Sequence, residues 1–445
     1  MARPCLTANV TEWIERMAGV LDARVAWRLL PLLAGLLFAT GRRTVSSWLR
    51  AGQISKDYQD YYYFLATLGR KTELLAGRLL QIVAKVIVPS DRILLAIDDT
   101  PSKRYGPKVE GAGIHHNPTP GPAGAAFLYG HSWVTLAWVV RHPFWGAIGL
   151  PLLARMYVRQ KDIIAQKLTF LRKVTFKTKL VMAGELVAWA AGWLRFLGRP
   201  LWVVADGAYA KRAFLRAAKA AQTIVVSRLR KDAALFDVPV ASGKRGRGRP
   251  RIYGKKSISL AKRAGQGRGW LWGTFELYGV TQTKRYKTFM ATYAPAGGLI
   301  RVVLVKEDDG SWRAYFCTHA EATVAEILEA VADRSALEQV YHDVKEVHGV
   351  GQAQTRNYWT NVGVFHLQLW LHTLIELWAW DQPAKQLVDR GQSPWDDADR
   401  RPSHADKRNA LRRQCLDLEF QAANAIAAVS RKMLSLWRRV VKLAA

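Results

Sequence analysis

Three short segments, far apart in the chain, constrain what it can fold into. In Leu94-Leu95-Ala96-Ile97-Asp98-Asp99-Thr100 and in Trp202-Val203-Val204-Ala205-Asp206-Gly207, an apolar run of strand-like composition ends in a carboxylate. In Arg334-Ser335-Ala336-Leu337-Glu338, with Lys345 seven residues further on, a carboxylate lies in a helical pattern beside two cations. A strand end keeps the backbone rigid while the side chain is free, so two strand ends and a helix can bring three acids to one point. Taken singly the segments are ordinary: an Asp after an apolar run is common, and a helical Glu among cations usually faces solvent. Their order, strand-Asp, strand-Asp, helix-Glu, is the constraint.

The acids stand out because the rest of the chain is basic. Lys and Arg number 66 against 35 Asp and Glu, a formal net charge of +31 over 445 residues. The excess runs along the whole chain. A field of that size favours a polyanionic partner, DNA or RNA. Half the residues are hydrophobic and 11% are aromatic, enough for a real core and against global disorder. Cys5, Cys317 and Cys415 are too few and too scattered for a disulfide framework or a zinc site, which fits a reducing cytoplasm. The N-terminal Met-Ala-Arg-Pro-Cys-Leu-Thr has no signal-peptide pattern. The apolar stretch 29–39 is too short to span a bilayer and contains Pro31. No membrane partner is expected.

The chain divides into five segments. Residues 1–85 read as helices and as a DNA-binding region; 44–50 has the rhythm of a recognition helix, or of one member of an ordinary bundle. Residues 86–230 alternate strands with helices, the pattern of an α/β core. They include a Gly/Pro-rich loop with His115 and His116, read as polar loop groups or substrate contacts. Residues 231–319 read as a β-rich insertion. It opens with a basic stretch and has a hairpin turn at Asp308-Asp309-Gly310. Residues 320–380 return to the core as helices, and 381–445 form a C-terminal helical region. No internal repeat is present.

Phosphodiester cleavage needs an activated water or 3′-hydroxyl in line with a leaving oxygen, and two metal ions about 3.5–4 Å apart stabilise both. Hard ions such as Mg²⁺ take oxygen ligands, hence Asp and Glu. On these residues the chain resembles the DDE transposases of bacterial insertion sequences. It is most similar to the group with a Tyr-x2-Arg-x3-Glu-x6-Lys signature. Arg334, Glu338 and Lys345 match that spacing, while Val331 stands at the tyrosine position. The resemblance covers roughly residues 85–380 and implies an RNase H-like catalytic core. It implies catalytic acids Asp98 or Asp99, Asp206 and Glu338, of which Asp98, Asp206 and Glu338 would bind two Mg²⁺ ions, with Mn²⁺ as a permitted substitute. Asp-x-Thr, a common form of the first motif, favours Asp98. An alignment on Leu-Leu-Ala-Ile-acidic-Asp-Thr favours Asp99.

The resemblance also implies a cut-and-paste reaction on double-stranded DNA, at transposon ends and target, with a hairpin intermediate in some relatives. It implies a homodimer in the DNA complex and a bacterial, nucleoid-associated location. Arg334 and Lys345 would grip phosphates around the scissile bond. Trp312 would stack on a flipped base, or else be a core tryptophan. Arg245, Arg247, Arg249 and Arg251, in an Arg-Gly-Arg-Pro context similar to an AT-hook, would enter a narrow minor groove or bind phosphates without preference. Arg356 falls where the family has a basic residue near DNA. Two other readings share the basic surface: a domesticated, non-catalytic DNA-binding regulator, and a structure-selective nuclease of the RNase H superfamily.

Overall fold

The computed structural model describes residues 5–87, 91–117, 124–239, 251–392, 395–397, 399–424, 433 and 437. Arg245, Arg247 and Arg249 lie outside the described residues. The chain opens with helices α1 (Ala8–Ala18), α2 (Ala23–Ala26), α3 (Leu29–Phe38), α4 (Val45–Ala51), α5 (Tyr58–Arg70) and α6 (Thr72–Val86). Strands β1 (Ile93–Lys103), β2 (Gly113–His116), β3 (Phe127–His142) and β4 (Gly146–Tyr157) come next. After helices α7 (Gln160–Ala165), α8 (Leu168–Arg172) and α9 (Lys179–Leu194) come β5 (Leu201–Ala205), α10 (Arg212–Ala220) and β6 (Ile224–Leu229). The following segment holds β7 (Leu235–Phe236), β8 (Ser257–Ile258), α11 (Leu260–Gly265), β9 (Leu271–Leu277), β10 (Val280–Tyr293), β11 (Gly298–Lys306) and β12 (Trp312–Cys317). Helices α12 (Val324–Asp333), α13 (Ser335–Glu346), α14 (Tyr358–Ala379), α15 (Ala384–Leu387) and α16 (His404–Asn424) follow.

The strands form one mixed sheet in the order β2-β3-β1-β5-β6-β12-β11-β10-β7-β8, with β4 on β3 and β9 on β10. β1, β3 and β4 make an antiparallel meander, while β5 and β6 run parallel to β1. Meander first, parallel strands after, is the strand arrangement of an RNase H-like core, flanked here by helices at both ends of the chain. The β-rich segment does not fold apart from it. β12 returns to pair antiparallel with β6, and β11, β10, β7 and β8 extend the same sheet outward.

Alternation along the strands sorts the core into two faces. Ile93, Leu95, Ile97, Leu201, Val203 and Ala205 face α9 and α10, where Met182, Ala183, Leu186, Val187, Phe214 and Leu215 are buried. Leu94, Ala96, Trp202 and Val204 face α12 and α13, against Ile327, Leu337, Val340 and Val344. By length and apolarity alone, residues Lys179–Leu197 could cross a bilayer. One side of this helix is instead packed on the sheet, an ordinary role for an apolar helix in a layered domain.

The N-terminal helices share the first of these cores. Val10, Ile14, Leu32, Leu36, Trp48, Phe64, Leu68, Leu79 and Val83 belong to the same buried cluster as Leu367, Trp370 and Leu374 of α14. Helices α5 and α14 touch backbone to backbone. A Cβ on Gly69 would lie 1.9 Å from the Trp359 carbonyl oxygen, and one on Gly363 2.1 Å from that of Leu65. The candidate recognition segment, α4, buries Val45, Ser47, Trp48 and Leu49 and exposes Ser46 and Arg50. His115 and His116, expected in a loop, lie on β2, paired with Leu128 and Phe127 of β3. Burial first, then Lys179 and Arg159, hold the His115 imidazole down at about 4. The hairpin turn at Asp308-Asp309-Gly310 is present, with Glu307 N–H donating to the Ser311 carbonyl and Gly310 at φ +77.

The α5–α14 contact is expected to be intolerant of any side chain. Gly363→Ala should cost about 1–3 kcal/mol, read as a lower denaturation midpoint. Gly192→Ala on the exposed side of α9, where a Cβ meets nothing within 4 Å, should be neutral or stabilising by about 0.5–1 kcal/mol.

Acid should also unfold this core early. His366 Nδ1 donates to the Val362 carbonyl while its Nε2 accepts from the Ala154 N–H, an arrangement that admits only the neutral ring. Burial holds His366 down at about 4 and His131 at about 3. In the unfolded chain both would titrate near 6.5, so below that pH the unfolded state binds more protons. Stability present at neutral pH is therefore lost as pH falls from about 6.5 towards 4, by roughly 1.4 kcal/mol per pH unit for each group. Thermal melts across that range should show a steep decline, and His366→Gln should flatten it.

Candidate active site

The parallel pairing of β1 with β5 sets Ile97 opposite Ala205. Each strand ends its apolar run at that level, so Asp98 and Asp206 come next, side by side and on the face covered by α12 and α13. Asp206 is exposed and closes the strand by accepting a hydrogen bond from the Ala208 N–H through its own side chain. Helix α12 starts at a capping box, in which Thr323 and Glu326 bond each other's backbone N–H. It passes through Arg334 into α13, whose first turn carries Glu338.

Arg334 joins these parts. One guanidinium nitrogen is 2.6 Å from Asp98 Oδ2 and the other bonds Glu338 Oε1. Although burial disfavours its charge, the Asp98, Glu338 and Asp206 carboxylates keep Arg334 more firmly protonated than an ordinary arginine. Asp98 is the most enclosed of the three acids, its side chain 19% exposed against 57% for Glu338. Burial pushes the Asp98 carboxyl up to about 6 even though Arg334 pulls it down. Further along α13, the Tyr341 hydroxyl donates to the Asp98 backbone carbonyl at 2.8 Å, and Lys345 Nζ donates to Thr100 Oγ1 at 2.8 Å. Positions 334, 338, 341 and 345 follow helical spacing, so one stripe of α13 is tied to β1 at successive levels.

Asp99 points the other way. Its two oxygens accept from Lys179 Nζ of α9 and, at 3.0 Å, from the Tyr209 hydroxyl. The structure thus brings Asp98, Asp206 and Glu338 together on one face, with Arg334 among them, and sends Asp99 to the opposite face.

The other sequence candidates lie further out. Trp312 opens β12 at the same end of the sheet as Asp206. Its half-buried ring packs on the core cluster of the α9 and α10 face, with the Lys231 ammonium 5.1 Å from the ring centroid. Arg356 is exposed in the loop before α14, and its carbonyl accepts from the Glu110 N–H. That loop is anchored by buried Arg104 of the β1–β2 connection, which donates to the carbonyls of Ala353 and Thr355 and, at 2.7 Å, to Asn361 Oδ1. Arg251 is exposed. Sequence reasoning missed Tyr341, Lys179 and Tyr209. For Tyr341 the signal was present, since it lies on the same helical stripe as Glu338. Lys179 and Tyr209 meet Asp99 only through tertiary folding, and no local pattern marks them.

The gathered side chains offer carboxylate oxygens alone, from one enclosed and two accessible acids. This donor set fits hard divalent cations such as Mg²⁺.

A model of the DDE superfamily endonuclease family matches residues 16–264. It spans Asp98, Asp99 and Asp206 and more than half of the chain, so the chain belongs to the DDE superfamily of endonucleases. A model of the transposase DDE domain matches residues 183–374, which hold Asp206 and Glu338. Within the superfamily the chain is a DDE transposase. Among solved structures it is similar to piggyBac transposase in a synaptic complex with hairpin DNA, at 10% identity and TM-score 0.38, over 92% of this chain and 85% of that one. It is similar also to the NurA nuclease from Sulfolobus solfataricus, at 12% identity and TM-score 0.23, over 62% of this chain and 86% of that one. A search of curated proteins gives no match.

Proposed function

We propose that this transposase cuts and rejoins DNA at a metal-dependent site formed by Asp98, Asp206 and Glu338. The observation that carries the reading is the register that ends β1 and β5 in Asp98 and Asp206 on one face, with Arg334 joining Asp98 to Glu338 of α13. Their oxygens would hold two Mg²⁺ ions. When bound, such ions lower the pKa of an attacking water or hydroxyl and neutralise charge on the leaving oxygen. The protein's own part is placement. Tyr341 and Lys345 fix α13 to β1, so that Glu338 stands over the strand ends. Arg334, already in the site, and Lys345 beside it would meet the phosphates on either side of the scissile bond. Asp99, held by Lys179 and Tyr209, braces the end of β1 against α9 and takes no part in metal binding.

The rest of the reaction follows from the cut. Water attack frees a 3′-hydroxyl at the transposon end, and that hydroxyl attacks target DNA, with or without a hairpin on the way. The N-terminal helices would read the terminal inverted repeats, the basic segment 245–251 and Arg356 would follow the duplex, and two copies would hold two ends. The spacing of Arg334, Glu338 and Lys345 supports a kinship with the group that has the Tyr-x2-Arg-x3-Glu-x6-Lys signature, with Val331 at the tyrosine position.

Asp206→Asn and Glu338→Gln should each lower cleavage of the element's own ends in Mg²⁺ by at least about a hundredfold, with end-binding nearly intact. Asp98→Asn should do the same and Asp99→Asn should not. Wild-type cleavage by the first three variants would sink the assignment, and binding without any metal-dependent cleavage by the wild type would favour a regulator. Trp312→Ala should slow hairpin formation more than the first nick if the ring holds a flipped base. Equal slowing of both would make it a packing residue.

Binding should be strongly electrostatic. Contact with six to ten phosphates implies roughly a 10³–10⁵ loss of affinity between about 50 and 200 mM salt. A flat titration would contradict a nucleic-acid partner.

A further inference from the structure

Away from the carboxylates, three histidines meet out of reach of solvent. His348 lies just past the end of α13, His372 is on α14 and His404 is the first residue of α16. One ring nitrogen from each lies within 4.8 Å of the others. His348 Nε2 is 2.8 Å from His404 Nε2, and the rings of His372 and His404 stack 3.9 Å apart. His404 Nδ1 is 2.6 Å from Glu376 Oε1. The carboxylate can only accept, so His404 carries its proton there and its Nε2 keeps a lone pair aimed at His348. Lys407 donates to the other Glu376 oxygen. His348 Nδ1 and His372 Nδ1 are buried without a hydrogen-bond partner.

We infer that His348, His372 and His404 form a binding site for a late-transition divalent cation, Zn²⁺ above all, distinct from the carboxylate site. An ion held by His348 Nε2 and His404 Nε2 would replace the hydrogen bond between them, the His348 proton moving to its unpartnered Nδ1. Imidazole nitrogens select Zn²⁺, Co²⁺ and Ni²⁺ over Mg²⁺ and Ca²⁺. The Glu376–His404 contact is the carboxylate–histidine arrangement that orients metal-bound imidazoles and raises their basicity. Burial, and then the neighbouring His404 and the nearby cations, hold His348 and His372 well below the usual imidazole range, in the neutral form that binds metal.

The fit has two costs. Zn–N bonds of about 2.0–2.1 Å put tetrahedral ligand atoms roughly 3.4 Å apart, so His348 Nε2 and His404 Nε2, 2.8 Å apart here, must open to admit the ion. Lys407, and Arg408, which donates to the carbonyls of Leu37 and Ala39, lie close by. Their charge works against any cation held by electrostatics alone, so binding rests on the imidazole bonds and should discriminate sharply against Mg²⁺. The ion would staple α16 to α14 and to the end of α13, the helix that carries Glu338.

The test uses the untagged full-length chain, stripped with chelator, loaded with ZnCl₂ and desalted. Mass-spectrometric metal analysis should find about one zinc per chain, undisplaced by excess Mg²⁺, and zinc should raise the thermal midpoint. His348→Gln and His372→Gln should lose the retained zinc, and with Co²⁺ in its place the visible absorption of a tetrahedral site. Asp206→Asn should retain the zinc, which separates this site from the carboxylates. Wild-type protein that retains no zinc, or folded His348→Gln and His372→Gln that retain as much as wild type, would overturn the inference. If neither variant folds, the wild type decides: a zinc-dependent rise in its midpoint supports the site, and no rise refutes it.

Discussion

The register between β1 and β5 is the constraint on which the site depends. A slip of one residue would reverse every side chain on one of the two strands. Asp98 or Asp206 would then turn to the α9 side, and Leu94, Ala96, Trp202 and Val204 would no longer share a face. The apolar residues that hold the sheet between its two helical layers therefore also fix which acids face α13. Fold stability and site geometry rest here on the same hydrophobic alternation.

Arg334 adds a second dependence. Three carboxylates drawn to one place repel each other, and Asp98 is additionally disfavoured as an anion by burial. A guanidinium between Asp98 and Glu338 offsets both effects, so the helix carrying Glu338 can close on the sheet without opposing charge. The tyrosine and lysine further along the same stripe then hold α13 by hydrogen bonds to a backbone carbonyl and a threonine hydroxyl, contacts that do not compete for the carboxylate oxygens.

Much of this was legible in the sequence, because the determining patterns are local. The apolar runs before Asp98 and Asp206 mark strands, and the spacing of Arg334, Glu338 and Lys345 marks one side of a helix. β4 was missed. Gly146, Gly149 and Pro151 break its alternation, and only pairing with β3 makes it a strand. That segment 231–319 extends the core sheet could not be read either, since the β12–β6 pairing joins residues far apart in the chain. The choice between Asp98 and Asp99 stayed open because alternation says only that they face opposite ways. Which way is set by where Lys179, Tyr209 and α13 come to rest. The histidine cluster was invisible for the same reason, its members being spread over three elements.

The glycine contact between α5 and α14 bears on how such a protein could be recombined. Gly69 and Gly363 let two helix backbones meet with no side chain between them, and the apolar faces of the first six helices complete the core of the catalytic half. The N-terminal region is thus not a cartridge that could be exchanged for another without disturbing the sheet domain. A graft would have to bring its own match for the α14 surface, glycine for glycine, or leave the catalytic half with an uncovered core.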